Sequence, residues 1–287
     1  MRDDQTATLP ARPMADDHSA QATNDTDETI RLGGMALANG VLVHGPSAWA
    51  CAVRTEQGEL RLASGRKRIR AAEVESPLLR GPARIAEVLT LLPQVRRSLP
   101  EARLAFERPA VLSAMAASAA FAQVVRHAQG LRPTARELLG TLASLAPAIV
   151  ALRGSALAAY HGAEHISIGS YEHGGRRPRE HERCGSHLVG PLVLGLTLGN
   201  ALAARFPPET RGLARAAASL SALAASTEVF AWMVRNPEHP ISKALAKPGH
   251  ELQHRLATAE PTAEQLEVAE AALAECLRLE RDDGGSD

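Results

Sequence analysis

The sequence predicts an α+β chain: a small N-terminal β unit followed by a mostly α-helical body. Three observations carry this. Residues 31–76 hold short apolar runs separated by Gly- and Pro-containing breaks. From about residue 77 the chain turns to long Leu- and Ala-rich segments with few charges. The closing stretch, EPTAEQLEVAEAALAECLRLERDD, is apolar along one helical face.

Composition sets the outer limits. A chain of 287 residues fits one large domain or two small ones. With two Trp, two Tyr and four Phe, the core has to come from close packing of Ala and Leu. The formal net charge is zero, which argues against a nucleic-acid partner, since phosphates call for a basic surface. Cys51, Cys184 and Cys276 are few and far apart, the usage of a reducing compartment without a disulfide framework. The opening MRDDQTATLP has no apolar stretch of the secretory kind.

Residues 1–30 are polar and acidic and bury too little apolar area to offset ordering, so a disordered arm is expected there. In 31–76 the apolar runs 41–43, 50–53 and 60–62 are punctuated by Gly33-Gly34, Gly45-Pro46 and Gln57-Gly58, as in a small sheet with tight turns. The basic run RKRIR at 66–70 reads as a solvated strand or loop.

The helical body occupies 77–287, with Pro77 and Pro82 bracketing its start. Four stretches, 109–125, 138–152, 188–204 and 216–234, come near the roughly 18 apolar residues of a membrane span. Ala, Ser, Gly and Pro dilute them, and Glu228 interrupts the last. Membrane spans and buried helices of a soluble bundle both match this pattern. In the final helix Leu266, Ala269, Leu273 and Leu277 form the apolar stripe, and Thr262 is placed to cap its start.

The chemistry concentrates in the segment 160–187, which contains His161, His165, His173, His181, His187 and Cys184. His161 and His165 are four apart at the end of the helical run SALAAY, so one helix face carries both imidazoles, with Glu164 beside them. HGAEH is thus H-x-x-E-H, a zinc motif in which the two His bind metal and the Glu activates water. Gly174-Gly175 turn the chain back, and HERC supplies His181 and Cys184. Nitrogen and thiolate donors in two close pairs suit Zn²⁺. Glu172 is a further oxygen donor or a residue that orients a ligand. His173 and His187 read as ordinary surface or core histidines.

A second string, HELQH at 250–254, has the metalloprotease spacing. Pro248-Gly249 directly before it predict that His250 lies on a first helical turn at best, which makes the match a coincidence. Glu228 has two readings: a functional carboxylate in an apolar helix, or a helix-end residue in water or in an ion pair.

From about residue 31 to 279 the chain resembles the YqhQ-type bacterial proteins, described as metal-dependent enzymes without an established reaction. GGMALANGVLVHGPSAWACAVR, YHGAEHISIGSYE, HERCGS, TEV followed by NP, and KPGHELQHRLATAEPTAEQLEVAEAAL carry the resemblance. His161, Glu164, His165, Glu172, His181, Cys184 and Glu228 match the family pattern. Asn39 stands where that pattern is acidic and Ile166 where it has Lys, two charged groups that could contact substrate. The chain reads HERCGS for the family's HPRCGT, and the family has other residue types at positions 250 and 254. The resemblance implies a protein with several helical membrane spans.

The expectation is therefore a membrane-associated, zinc-dependent hydrolase of unknown substrate in the bacterial cell membrane. His161 and His165 would be ligands with one or both of His181 and Cys184, and Glu164 the base. One alternative is a non-enzymatic membrane or scaffold protein whose zinc only staples the Gly-Gly loop to the helix, and another is a chain with no metal at all; the alternative location is the cytoplasm. Ligand count separates these readings: four ligands close a structural site, three facing a cavity leave room for water.

Overall fold

Four short strands form an antiparallel meander in the order β1 (Gly33–Leu37), β2 (Gly40–His44), β3 (Ala48–Arg54) and β4 (Leu60–Arg66). This computed structural model describes residues 29–69 and 71–284; most of the expected N-terminal arm, 1–30, lies outside them. Two of the three expected breaks are turns, at Gly45-Pro46 and at Gln57-Gly58, where Gly58 takes φ +84°. Gly33-Gly34 instead open β1, and the first turn is Ala38-Asn39. Asn39 stitches that turn down: its amide donates to the carbonyls of Arg54 and Glu101, and its Oδ1 accepts from the Arg103 amide.

The apolar runs are continuous because both sheet faces are covered. Val41, Val43, Ala50 and Ala52 pack on α5 (Ala156–His173) and α9 (Ala263–Gly284). Leu42, Trp49, Cys51 and Val53 alternate with them and pack on α1 (Pro77–Ser98). In the basic run Arg66, Arg68 and Ile69 are exposed as expected, and Lys67 is the exception. Lys67 is buried, paired with Glu87 of α1, and donates to His44 Nδ1 at 3.0 Å. A charge at that depth is tolerated because a carboxylate meets it.

The helical body follows as α2 (Pro109–His127), α3 (Pro133–Ala143), α4 (Ala146–Leu152), α5, α6 (Val189–Ala203), α7 (Pro208–Arg235), α8 (Pro240–Leu252) and α9. Four segments are long and apolar enough to cross a membrane: Pro109–His127, Pro133–Leu152, Gly185–Ala203 and Pro208–Arg235. Only 17–22% of each apolar window is buried within the chain. Leu198, Leu213 and Leu220, for instance, stand exposed. The segments form two hairpins joined by 128–132 and 204–207, bridged by Arg215 of α7 on Glu137 of α3 at 2.5 Å. The first hairpin's open end meets α5, where Val111 and Ala151 pack on Leu157, and at the start of the second Ser186 N–H bonds Cys184 Sγ in the loop that follows α5.

The last helix is capped as expected. Gln265 N–H donates to Thr262 Oγ1 at 3.3 Å, and Gln265 Oε1 accepts from Thr262 N–H at 2.9 Å. One helix boundary differs from expectation. Pro248-Gly249 do not start a helix; α8 runs through them into a π-helical turn, Gln253–Ala257. The glycine there serves packing: a Cβ on Gly249 would lie 2.7 Å from the Ser186 carbonyl oxygen.

Candidate metal centre

Helix α5 is buried along most of its length, between the sheet, α9 and the loop that follows it. Gly174, at φ +66°, ends it and turns the chain back. The loop then returns over the same helix. His161 and His165 are one turn apart, with ring centroids 4.3 Å from each other. Cys184 Sγ comes from the loop to 3.6 Å from His161 Nε2. One donor atom each from His161, His165 and Cys184 lies within 4.8 Å of the other two, an arrangement able to hold a metal ion.

Hydrogen bonds prepare these rings. His161 Nδ1 faces the Ala257 carbonyl at 2.9 Å, and His165 Nδ1 faces the Arg179 carbonyl at 2.6 Å. A carbonyl can only accept, so both Nδ1 atoms carry the proton and both Nε2 lone pairs are free for a ligand. Burial pushes the His165 imidazole below its ordinary pKa, ahead of a bond with the Cys184 thiol that acts the other way. A neutral ring is the form that binds metal. Cys184 starts the 3-10 turn Gly185–Leu188, where its Sγ accepts from Ser186 N–H at 3.5 Å.

The three donors stand in the wall of a cavity of about 410 Å³. Glu164 lies in the same wall, buried, its Oε2 3.8 Å from His161 Nε2. Burial pushes its carboxyl up, against the pull of His161 and His181. Strand β1 covers it, and Gly34 explains how: a Cβ there would lie 2.2 Å from Glu164 Oε1.

The other expected residues take separate places. His181 lines the cavity but falls outside the three-donor group. Its Nε2 lies 3.2 Å from Glu172 Oε2, and its Nδ1 accepts from the Arg183 amide at 3.3 Å. Glu172 also pairs with Arg183. Burial alone raises the Glu172 carboxyl, but the bonds and charges of His181 and Arg183 outweigh it and hold the group below its ordinary value. Glu228 sits on α7 in an ion pair with Arg80 of α1, its Oε1 2.6 Å from Arg80 Nε. His173 is exposed, and His187 is a satisfied core residue between the Ala246 carbonyl and Gln253. Neither Asn39 nor Ile166 lines this cavity.

In HELQH neither histidine joins the donors: His254 pairs with Glu180 at 3.0 Å, and His250 is exposed. The glutamine between them matters more. Gln253 is fully buried and bonds His181, Ser186 and His187. Sequence pattern passed over it because glutamine has no metal or catalytic signature. His44 was also missed; it lines the cavity from β2.

No curated protein and no solved structure matches the chain. Residues 155–279, from the start of α5 into α9 and including His161, Glu164, His165 and Cys184, match the family described as "Protein of unknown function (DUF1385)".

Proposed function

We propose that the chain is a membrane-associated zinc hydrolase. The observation that carries this reading is three donors, two imidazole Nε2 atoms and one thiol sulfur, converging in the wall of a cavity beside a buried carboxyl. The donor set suits zinc: nitrogen and sulfur ligands, with both ring tautomers already set by backbone carbonyls. Three protein ligands is the count of catalytic zinc sites, four that of closed structural ones. His181, the residue that could complete four, is engaged by Glu172 instead. This favours a hydrolase over a zinc staple. The resemblance to YqhQ-type proteins and the four membrane-length helices point the same way.

Zinc held by His161, His165 and Cys184 would supply Lewis acidity toward water and toward a substrate oxygen. Glu164 takes the proton from the attacking water. Burial, by raising its carboxyl, moves it toward the neutral range where a general base works best. Lys67 can only donate, so His44 Nδ1 accepts and His44 Nε2 carries a proton that can stabilise negative charge growing on a substrate oxygen. Glu172 positions His181 and Arg183 at the cavity wall.

Metal analysis of purified wild type and variants tests this. His161→Ala, His165→Ala and Cys184→Ala should each lose near-stoichiometric zinc. Glu164→Gln keeps shape but cannot take a proton, so it should keep zinc and fold while turnover falls by about 10²-fold or more. Full complementation of a deletion strain by Glu164→Gln would defeat the enzyme reading, however well zinc is bound.

A further inference from the structure

A second cavity, of about 690 Å³, lies beyond His181 and Arg183, which line both cavities. One side of it is apolar, formed by Phe230, Met233 and Val234 at the C-terminal end of α7. That helix is one of the four membrane-length segments, so this side stands where a membrane-crossing helix gives way to polar chain. Charged residues also line it: Arg177, which pairs with Glu182 at 3.9 Å, Arg183, which pairs with Glu172, and Lys243, Lys247 and Glu180. Glu180 is already occupied by Arg179 and His254. Lys243 pairs with the exposed Glu238 at 2.7 Å. No ion pair or hydrogen bond of the Lys247 side chain is found among the described residues.

An unsatisfied group adds an independent pointer. Ser242 is 2% exposed and lines the cavity, and its Oγ has no hydrogen-bond partner. A buried hydroxyl without a partner is costly, and a ligand oxygen in the cavity would satisfy it. Ser242 and Lys243 are in the first turn of α8, whose dipole also favours an anion. An anion at one end and an apolar wall at the other match a molecule with a charged head and a hydrocarbon chain.

We propose that this cavity binds a phosphate-bearing amphiphile, its phosphate on Lys243, Lys247 and Ser242 and its chain along Phe230, Met233 and Val234. Phosphate is the favoured anion because Lys243 and Lys247 line the same cavity as the unpartnered Ser242 hydroxyl, more donors than a single carboxylate needs. On the hydrolase reading this ligand is the substrate, since its cavity adjoins the metal cavity at His181 and Arg183, which line both. Binding itself does not depend on that reading.

The test uses the full chain in a neutral detergent, with calorimetric titration of dioctanoyl phosphatidic acid, dioctanoylglycerol and inorganic phosphate. Saturable one-to-one binding of the phosphatidic acid is expected, at least about tenfold tighter than either of the others. The double variant Lys243→Ala/Lys247→Ala should weaken it about tenfold or more with zinc content unchanged, and Ser242→Ala should weaken it to a smaller degree. Equal binding of dioctanoylglycerol, or unchanged binding in the double variant, overturns the proposal. Inorganic phosphate binding as tightly as the lipid also overturns it, and assigns the site to a soluble phosphate compound. Because binding is read rather than turnover, an inactive Glu164→Gln enzyme that still binds the lipid separates this proposal from the hydrolase reading.

Discussion

Gln253 grips His181 by both of its backbone groups: Oε1 accepts from the His181 amide at 2.8 Å, and Nε2 reaches the His181 carbonyl at 3.2 Å. The same nitrogen is 2.7 Å from Ser186 Oγ and 3.1 Å from His187 Nε2. Cys184 lies between these points. One buried amide thus holds both ends of the short loop that brings the thiol to α5.

Gln253→Ala should therefore loosen the proposed metal centre without touching a donor. The His181 N–H loses its partner, at a cost of about 1–3 kcal/mol in stability. Zinc affinity should fall about 10–100-fold, the usual effect of removing a group that orients a ligand. Competition with a chelator and thermal unfolding measure the two. His250→Ala/His254→Ala, on either side of it, should leave zinc affinity unchanged. Wild-type affinity in Gln253→Ala would remove it from this role.

The contrast shows what a sequence can reveal of such a site. His161, Glu164 and His165 were legible because helix periodicity alone puts i, i+3 and i+4 on one face. Cys184 was legible because a thiol near imidazoles has a restricted chemistry. His181 shares that chemistry, yet its direction depends on Glu172 and Gln253, and no local pattern encodes a contact with a residue 72 positions away. Lys67 was misread for the same reason: a charge looks solvated until α1 brings Glu87 to it. The sheet was readable from its apolar runs, whereas Gly33-Gly34 looked like a turn because the signal for close approach and the signal for a turn are the same residue.

Gly34→Ala tests that close approach. Its Cβ would lie 2.2 Å from Glu164 Oε1 and 2.6 Å from Cγ, and buried Glu164 has little room to retreat. Either β1 lifts or the carboxyl shifts. Stability should fall by about 1–3 kcal/mol, and activity should drop nearly as far as in Glu164→Gln, with zinc retained. Gly175→Ala, where a Cβ meets nothing within 4 Å, is the control and should behave as wild type. Normal activity in Gly34→Ala would mean that the position of Glu164 is not critical.

The membrane-length helices predict how the protein fractionates. With 17–22% of each apolar window buried, the exposed remainder is expected to be covered by lipid or detergent. The full chain should stay with membranes through high-salt and carbonate washes and come off only in detergent. Recovery in a clear, detergent-free supernatant would contradict this.

His44 predicts an acid limb of the stability curve. Burial, and then the Lys67 ammonium at its Nδ1, hold the imidazole down at about 4 from an ordinary 6.5, while the Glu87 charge acts the other way. The unfolded chain takes up a proton near pH 6.5 and the folded one only near pH 4. Between those values the unfolded state binds more protons, so stability rises with pH. The contribution of His44 is complete above about pH 6.5, declines as the pH falls toward 4, and levels off below it. At 1.36 kcal/mol per pH unit the span is bounded at about 3 kcal/mol, and partial exposure of the ring lowers it. His165 titrates in the same direction and Glu164 in the opposite one, so the total curve does not isolate His44. The difference between wild type and His44→Gln does, because Gln keeps an acceptor for Lys67 but has no proton to gain. Denaturant unfolding at half-unit steps from pH 4 to 7 should give a difference that grows with pH up to about 6.5 and is then constant. A difference independent of pH would show that Lys67 and burial do not hold His44 neutral.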